Sequence, residues 1–128
     1  MTETEYIDAI RESVGEAETV SNELIDLIET ALQDHPNSPE LWCLRGDMIQ
    51  LGDESVRHGL EAVLPSYQKA LDLNPAFGEA YESIGYFYDK VLDKPAEAEA
   101  YFRKAIELGR GETAASGLQD VLNQIRQE

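Results

Sequence analysis

A chain of 128 residues has the length of one domain, and its net charge of −16, from 26 acidic and 10 basic residues, repels phosphate backbones and anionic membrane surfaces. Nucleic acid and membrane are therefore excluded as expected partners. The lone cysteine, Cys43, rules out an intrachain disulfide and a thiolate metal cluster, and no apolar run approaches the length of a membrane-spanning helix.

Residues 4–17 place Tyr6, Ile7, Ile10, Val14 and Ala17 at helical spacing, and Thr2 with Glu5 forms a capping box ahead of them. A second helix is expected from Ser21 to Asp34, with Leu24, Ile25, Ile28, Ala31 and Leu32 on one side and His35-Pro36-Asn37 as its stop. Ser38 then serves as N-cap and Pro39 as first helical residue of a third helix that carries Leu41, Trp42, Met48 and Ile49 to about Leu51. Gly59 and Pro65 disfavour a helix over 52–60, so the fourth is placed at about 61–73, with Pro65 near its first turn. Asn74-Pro75 closes it. The fifth runs from Gly78 to about Leu92, ends in an Asp93-Lys94 turn, and is followed by a sixth that begins at Pro95 and reaches about Leu108. After Gly109-Arg110-Gly111, the apolar positions Ala114, Leu118, Val121, Leu122 and Ile125 recur every three or four residues in a seventh helix. The expected fold class is all-α, with no strand.

Two stretches of these helices match position by position. Trp42, Gly46, Tyr67, Ala70 and Pro75 have counterparts in Tyr81, Gly85, Phe102, Ala105 and the Leu108-Gly109-Arg110 helix end, and Ala31 and Pro36 repeat the spacing upstream. Alanines 31, 70 and 105 are 39 and 35 residues apart, near the roughly 34-residue period of one known helical repeat. In these residues the chain resembles the tetratricopeptide repeat family. Residues 76–110 match its pattern through Tyr81, Ile84, Gly85, Tyr88, Ala98, Phe102 and Ala105, with Arg110 in place of the proline. Residues 39–75 match through Trp42, Gly46, Tyr67, Ala70 and Pro75, with Arg45 as the departure, and residues 4–38 form a degenerate copy. The resemblance implies a single domain over residues 1–128: a right-handed superhelical stack of about three hairpins, with residues 111–128 as a capping helix. The small residues Gly46, Gly85, Ala70 and Ala105 are expected to set the packing distances, and Trp42, Tyr81, Tyr67 and Phe102 to fill the space between hairpins. From Gly46 to Ala70 there are 24 residues against 20 from Gly85 to Ala105, which puts an insertion in the loop 52–60. That loop is either tolerated surface variation or the lip of a binding edge.

Catalysis needs a nucleophile with a base, a desolvated carboxylate pair or converging metal ligands, and the sequence offers none of these at recognisable spacing. His35 lies in a helix-ending turn, His58 lies in the inserted loop, and Cys43 sits between Trp42 and Leu44 with no adjacent base. Gly109-Arg110-Gly111 reads as a helix stop rather than a phosphate cradle. No enzyme activity, cofactor or metal is expected.

The resemblance implies instead a concave groove lined by the first helix of each hairpin, and the matching positions here are Glu40, Cys43, Leu44, Asp47, Glu79, Glu82, Ser83, Tyr86 and Asp89. Chaperone-binding members of the family clamp a terminal carboxylate with Lys, Arg and Asn at such positions; Cys43, Asp47, Glu82 and Tyr86 stand there instead, so that clamp is absent. An acidic wall suits a basic or neutral protein segment, with Tyr86 available for a cation–π contact. The acid is concentrated upstream: residues 1–38 hold ten Asp or Glu against Arg11 alone, a net of −9. That concentration is either a solvated helix surface or a docking face for a basic partner. The expected function is a non-catalytic protein-interaction module or adaptor. The alternatives are a small acidic secretion-type chaperone, or a structural protein that self-associates through the N-terminal helix, residues 1–19, where Tyr6, Ile7 and Ile10 have no assigned repeat partner. The acidic, polar start Met1-Thr2-Glu3 is unlike a secretory signal and gives cytoplasmic location as the expectation.

Overall fold

The computed structural model describes residues 1–16, 20–52 and 59–127, with the side chains of residues 15 and 16 excepted. Most of them lie in seven α-helices: α1 Glu3–Glu16, α2 Asn22–Asp34, α3 Pro39–Leu51, α4 Val63–Leu73, α5 Gly78–Tyr86, α6 Pro95–Ala105 and α7 Gly111–Gln127. The one β-type pairing among the described residues is an isolated bridge between Val20 and Gly52. The chain divides into two compact units, Met1–Pro75 and Ala76–Glu128.

In the first unit the helix starts follow the residues that can satisfy orphan amides. Thr2 N–H donates to Glu5 Oε1 at 3.0 Å while Glu5 N–H donates to Thr2 Oγ1 at 3.1 Å, the reciprocal bonds of a capping box. Thr2, first through its backbone and then through its hydroxyl, holds the Glu5 carboxyl below its ordinary value. Ser21 Oγ accepts from Leu24 N–H at 3.4 Å at the start of α2. Ser38, 3 % exposed, accepts from Leu41 N–H at 3.2 Å and donates its own proton to Glu3 Oε1 at 2.6 Å. One hydroxyl thereby caps α3 and ties it to α1.

Helix α1 packs on α2, α2 on α3, and α3 on α4. Ile10, Ile25, Ile28, Ala31, Leu41, Val63, Tyr67 and Ala70 have no exposed surface. Tyr6, Ile7 and Ile10, which the sequence left without a repeat partner, are 5 %, 6 % and 0 % exposed, so these three side chains are packed inside the unit. The reason is local. The Tyr6 hydroxyl donates to Asp34 Oδ2 at 2.5 Å, and its ring meets His35 edge-on at 5.8 Å. The carboxylate that accepts this bond holds the Tyr6 phenol above its ordinary value. His35, expected as a solvated turn residue, is half-buried and its Nε2 lies 3.0 Å from the Met1 carbonyl oxygen.

The inserted segment falls mainly on residues 53–58, which lie outside the described residues, as does His58. Downstream of it the chain enters α4 through a tight 3₁₀ turn over Leu60–Ala62. Pro65 is the third residue of α4, where no intrahelical amide is lost.

In the second unit α5 and α6 form a hairpin and α7 packs on α6. Helix α5 runs on through a wide π turn over Phe87–Val91, in which Leu92 N–H donates to Phe87 O, five residues back, at 3.1 Å. Asp93 then adopts φ 53, and Lys94 N–H closes on Tyr88 O at 2.8 Å. Aspartate tolerates this left-handed conformation better than most side chains because its short polar group bonds locally. Gly109, at φ 98, is the corresponding break between α6 and α7, so the predicted glycine stop is observed. Ala98, Phe102, Ala105, Ala114 and Val121 make the core of this unit.

The glycine–aromatic spacing read from the sequence corresponds to direct contact. A Cβ on Gly46 would lie 2.6 Å from Tyr67 Cε1, and one on Gly85 would lie 2.9 Å from Phe102 Cδ1. The α3/α4 and α5/α6 hairpins are thus each closed by a ring against a bare stretch of helix backbone. Tyr67 and Phe102 have no exposed surface, whereas Trp42 and Tyr81 are only half-buried, so the four expected space-fillers separate into two kinds.

Candidate interaction surface

The expected groove positions on α3 receive different environments from one helix. Glu40 is half-buried and pairs with Arg11 Nη2 at 2.6 Å, whereas Cys43 and Leu44 are 1 % and 6 % exposed. Asp47 accepts the Tyr67 hydroxyl at 2.5 Å. It therefore holds in place the ring that closes the α3 and α4 hairpin. Gln50, which the sequence analysis passed over, carries a buried Oε1 with no hydrogen-bond partner. Its register was legible: Gln50 stands eight residues after Trp42, as Asp89 stands after Tyr81.

On α5, Glu79 and Ser83 are half-buried, while Glu82 and Asp89 are 7 % and 5 % exposed. Three of these positions meet α7. Thr113 Oγ1 donates to the Glu82 carboxylate, with Oε2 at 2.8 Å, and Arg110 Nη2 lies 3.5 Å from the same oxygen. The Tyr86 hydroxyl donates to Thr113 O at 3.0 Å, and its ring stands edge-on to Phe102 at 4.8 Å. Gln124 Nε2 donates to Asp89 Oδ1 at 2.8 Å. The other Asp89 oxygen is buried without a hydrogen-bond partner, because Lys90 Nζ at 3.4 Å is near enough to pair in charge but not aligned to donate. Burial first, and then the negative charge of Glu82, push the Tyr86 phenol up.

A glycine makes this approach of α7 feasible. A Cβ on Gly117 would lie 2.6 Å from Phe102 Cε1 and 3.1 Å from Tyr86 Cε1, so Phe102 is held between two glycines, Gly85 and Gly117. The sequence signal for Gly117 was weak, since a lone glycine in a helix ordinarily only costs stability. Tyr88, in the π turn, and Tyr101, in α6, stack at 5.3 Å with their planes 10° apart, and Tyr81 of α5 lies 6.5 Å from Tyr101. Burial first, and then Tyr88, raise the Tyr101 phenol. Among the described residues no cluster of three or more His, Cys, Asp or Glu is placed to hold a metal ion. Among the described residues, no helix is long and apolar enough to cross a membrane.

Two helix pairs, α3 with α4 and α5 with α6, are each closed by a glycine against an aromatic ring, and the class is that of an all-α, tetratricopeptide-like helical repeat fold. No family model matches the sequence, and no curated protein matches it. Among solved structures, the chain is similar to PilW, described as a widely conserved type IV pilus biogenesis factor, with a TM-score of 0.81 and 22 % sequence identity over 98 % of this chain. The match covers 55 % of the PilW chain, so this protein spans about half the length of that neighbour. At that identity the likeness is one of fold.

Proposed function

We propose that this protein is a non-catalytic protein-interaction module that holds a basic or neutral segment of a partner protein against the first helices of its hairpins. The observation that supports this reading is the helical repeat fold combined with a net charge of −16. Folds of this type use small and aromatic residues for their seams and leave polar helix faces for partners. The contact residues of the proposal are the half-buried Glu40 and Asp47 in the first unit and, separately, the half-buried Glu79, Ser83 and Tyr86 in the second. The buried members of the expected set, Cys43, Leu44, Glu82 and Asp89, contribute packing and local field rather than direct contact. A negative field of this size accelerates the encounter with a basic segment and is screened by salt.

The test is a pull-down from the native cell followed by calorimetry on the captured partner. Affinity should fall at least about tenfold between low salt and ~0.5 M salt, and fall again in Glu40→Gln, which keeps an acceptor for Arg11, and in Ser83→Lys, with thermal unfolding followed in parallel. Unchanged affinity across that salt range sinks the electrostatic part of the reading. Asp47 and Tyr86 are poor choices for mutation because each supports the fold.

A second reading is an assembly factor or secretion-type chaperone for a small client. The likeness in fold to PilW, a pilus biogenesis factor, favours it. A client that is soluble only when co-expressed with this chain would distinguish it from an adaptor.

A further inference from the structure

Helix α7 repeats the register of α5, and of the π turn that continues it, at a distance of 34 residues: Ala114 stands to Ala80 as Val121 stands to Phe87, and all four are buried. On α5 and its continuation, the flank formed by Tyr81, Gly85 and Tyr88 is covered by α6, whose Tyr101 meets both tyrosines and whose Phe102 fills the space above Gly85. The same flank of α7 carries Ala115, Gln119 and Leu122, and among the described residues no helix follows α7 to cover it. Ala115 and Gln119 are exposed, and Leu118, Leu122 and Ile125 are only half-buried. We propose that α7 of a second copy of this chain covers this flank, packed antiparallel about a two-fold axis beside Gln119. The flank shares no residue with the acidic surface proposed above, so the two readings fail independently.

The spacing along α7 suits a helix as occupant. Ala115, Leu118, Leu122 and Ile125 follow one another at three and four residues, the spacing of a two-helix seam, along a helix about 25 Å long.

Charge selects which helix. Seven residues make close to two helical turns, so Glu112, Gln119 and Arg126 form one line along the edge of the seam, and all three are exposed. Glu112 and Arg126 are equally far from Gln119 and opposite in sign. Neither forms an ion pair with another described residue. In an antiparallel pair centred on Gln119, Glu112 of each copy meets Arg126 of the other, which makes two ion pairs. The two Gln119 amides, each donor and acceptor, meet at the axis. The same arrangement sets Leu118 beside Leu122 and Ala115 beside Ile125. A parallel copy brings like charges together and is disfavoured. Asp120, the remaining charge of α7, lies off this edge, so the flank is close to neutral on a chain of net charge −16. Two copies repel each other least where such flanks meet. A single helix pair is a small interface, so the association is weak and depends on concentration.

The test is sedimentation equilibrium of the full chain from about 5 to about 500 µM, a range suited to a small interface. The expected result is a reversible monomer–dimer equilibrium. Glu112→Arg and Arg126→Glu each turn both ion pairs into like-charge contacts, so either alone should weaken dimerisation at least about tenfold. An equimolar mixture of the two variants sets arginine against glutamate at both ends and should recover dimerisation as a mixed pair. Net charge alone predicts otherwise, because Glu112→Arg lowers the self-repulsion of the chain and would strengthen association. Circular dichroism checks that both variants keep their helix content, and Arg126→Glu decides the matter if Glu112→Arg does not fold. A chain that stays monomeric across the range, a dimer indifferent to the reversals, or a mixture of folded variants no more dimeric than its parts overturns the proposal.

Discussion

Gly46, Gly85 and Gly117 lie in helix interiors, where replacing glycine with alanine ordinarily stabilises by about 1 kcal/mol. Here the added methyl meets an aromatic ring at 2.6, 2.9 and 2.6 Å, and those rings are fully buried at Tyr67 and Phe102. Overpacking of that kind costs about 1–3 kcal/mol, so the sign of the substitution should reverse. Each Gly→Ala variant is expected to lower the urea midpoint, and a rise in any of them would show that the ring moves aside cheaply. Thr113 poses a different question, because its hydroxyl is the chief partner of a carboxylate that is 7 % exposed. Thr113→Val leaves Glu82 with Arg110 alone and should cost about 1–3 kcal/mol, while Thr113→Val with Glu82→Leu should recover part of that loss. Equal urea midpoints for the single and double variants would count against this account.

At the scale of elements, the cap of α3 and the seat of α7 matter most. Ser38 serves two helices at once, by accepting from Leu41 N–H and by donating to Glu3. Ser38→Ala is expected to cost about 1–2 kcal/mol, the upper part of the range for a lost N-cap, because a second bond goes with it. Ser21→Ala, at a cap whose bond is 3.4 Å long, should cost less. Comparing the two by thermal unfolding checks the ranking. Helix boundaries of this kind were legible in the sequence: Thr2, Ser38, Pro39, Pro95 and Gly109 all act where their chemistry placed them. The π turn over Phe87–Val91 was not, since nothing in Phe-Tyr-Asp-Lys-Val separates a five-residue hydrogen bond from a four-residue one. That choice is made by which side chains the core accepts.

For the molecule as a whole, charge and phenol ionisation give two expectations. A net charge of −16 repels itself, so the melting temperature should rise as salt goes from a few millimolar to ~0.2 M; a fall would mean that screened ion pairs such as Arg11 with Glu40 outweigh the repulsion. Tyr6, Tyr86 and Tyr101 are held above the ordinary phenol value, the first by its bond to Asp34 and the other two by burial. A raised folded value means that the folded state keeps its proton longer. The associated stability is present below about pH 10 and is lost as pH rises through the folded values. Absorbance at 295 nm should therefore show part of the six tyrosines ionising late, together with unfolding, and Tyr6→Phe should remove one of the late group.

The sequence by itself determined the all-α class, the helix limits and the repeat, because periodicity, caps and glycine–aromatic spacing are local or depend only on register. Gly46 with Tyr67 and Gly85 with Phe102 were legible for that reason. The tertiary structure decided which polar residues serve packing. Asp47, Glu82 and Tyr86 looked exposed on helix faces, yet each bonds to a neighbouring helix, and Tyr6, Ile7 and Ile10 looked unpartnered yet lie buried. A side chain's neighbours across a helix seam are set by the meeting of distant segments, and no spacing along one helix records which segments meet.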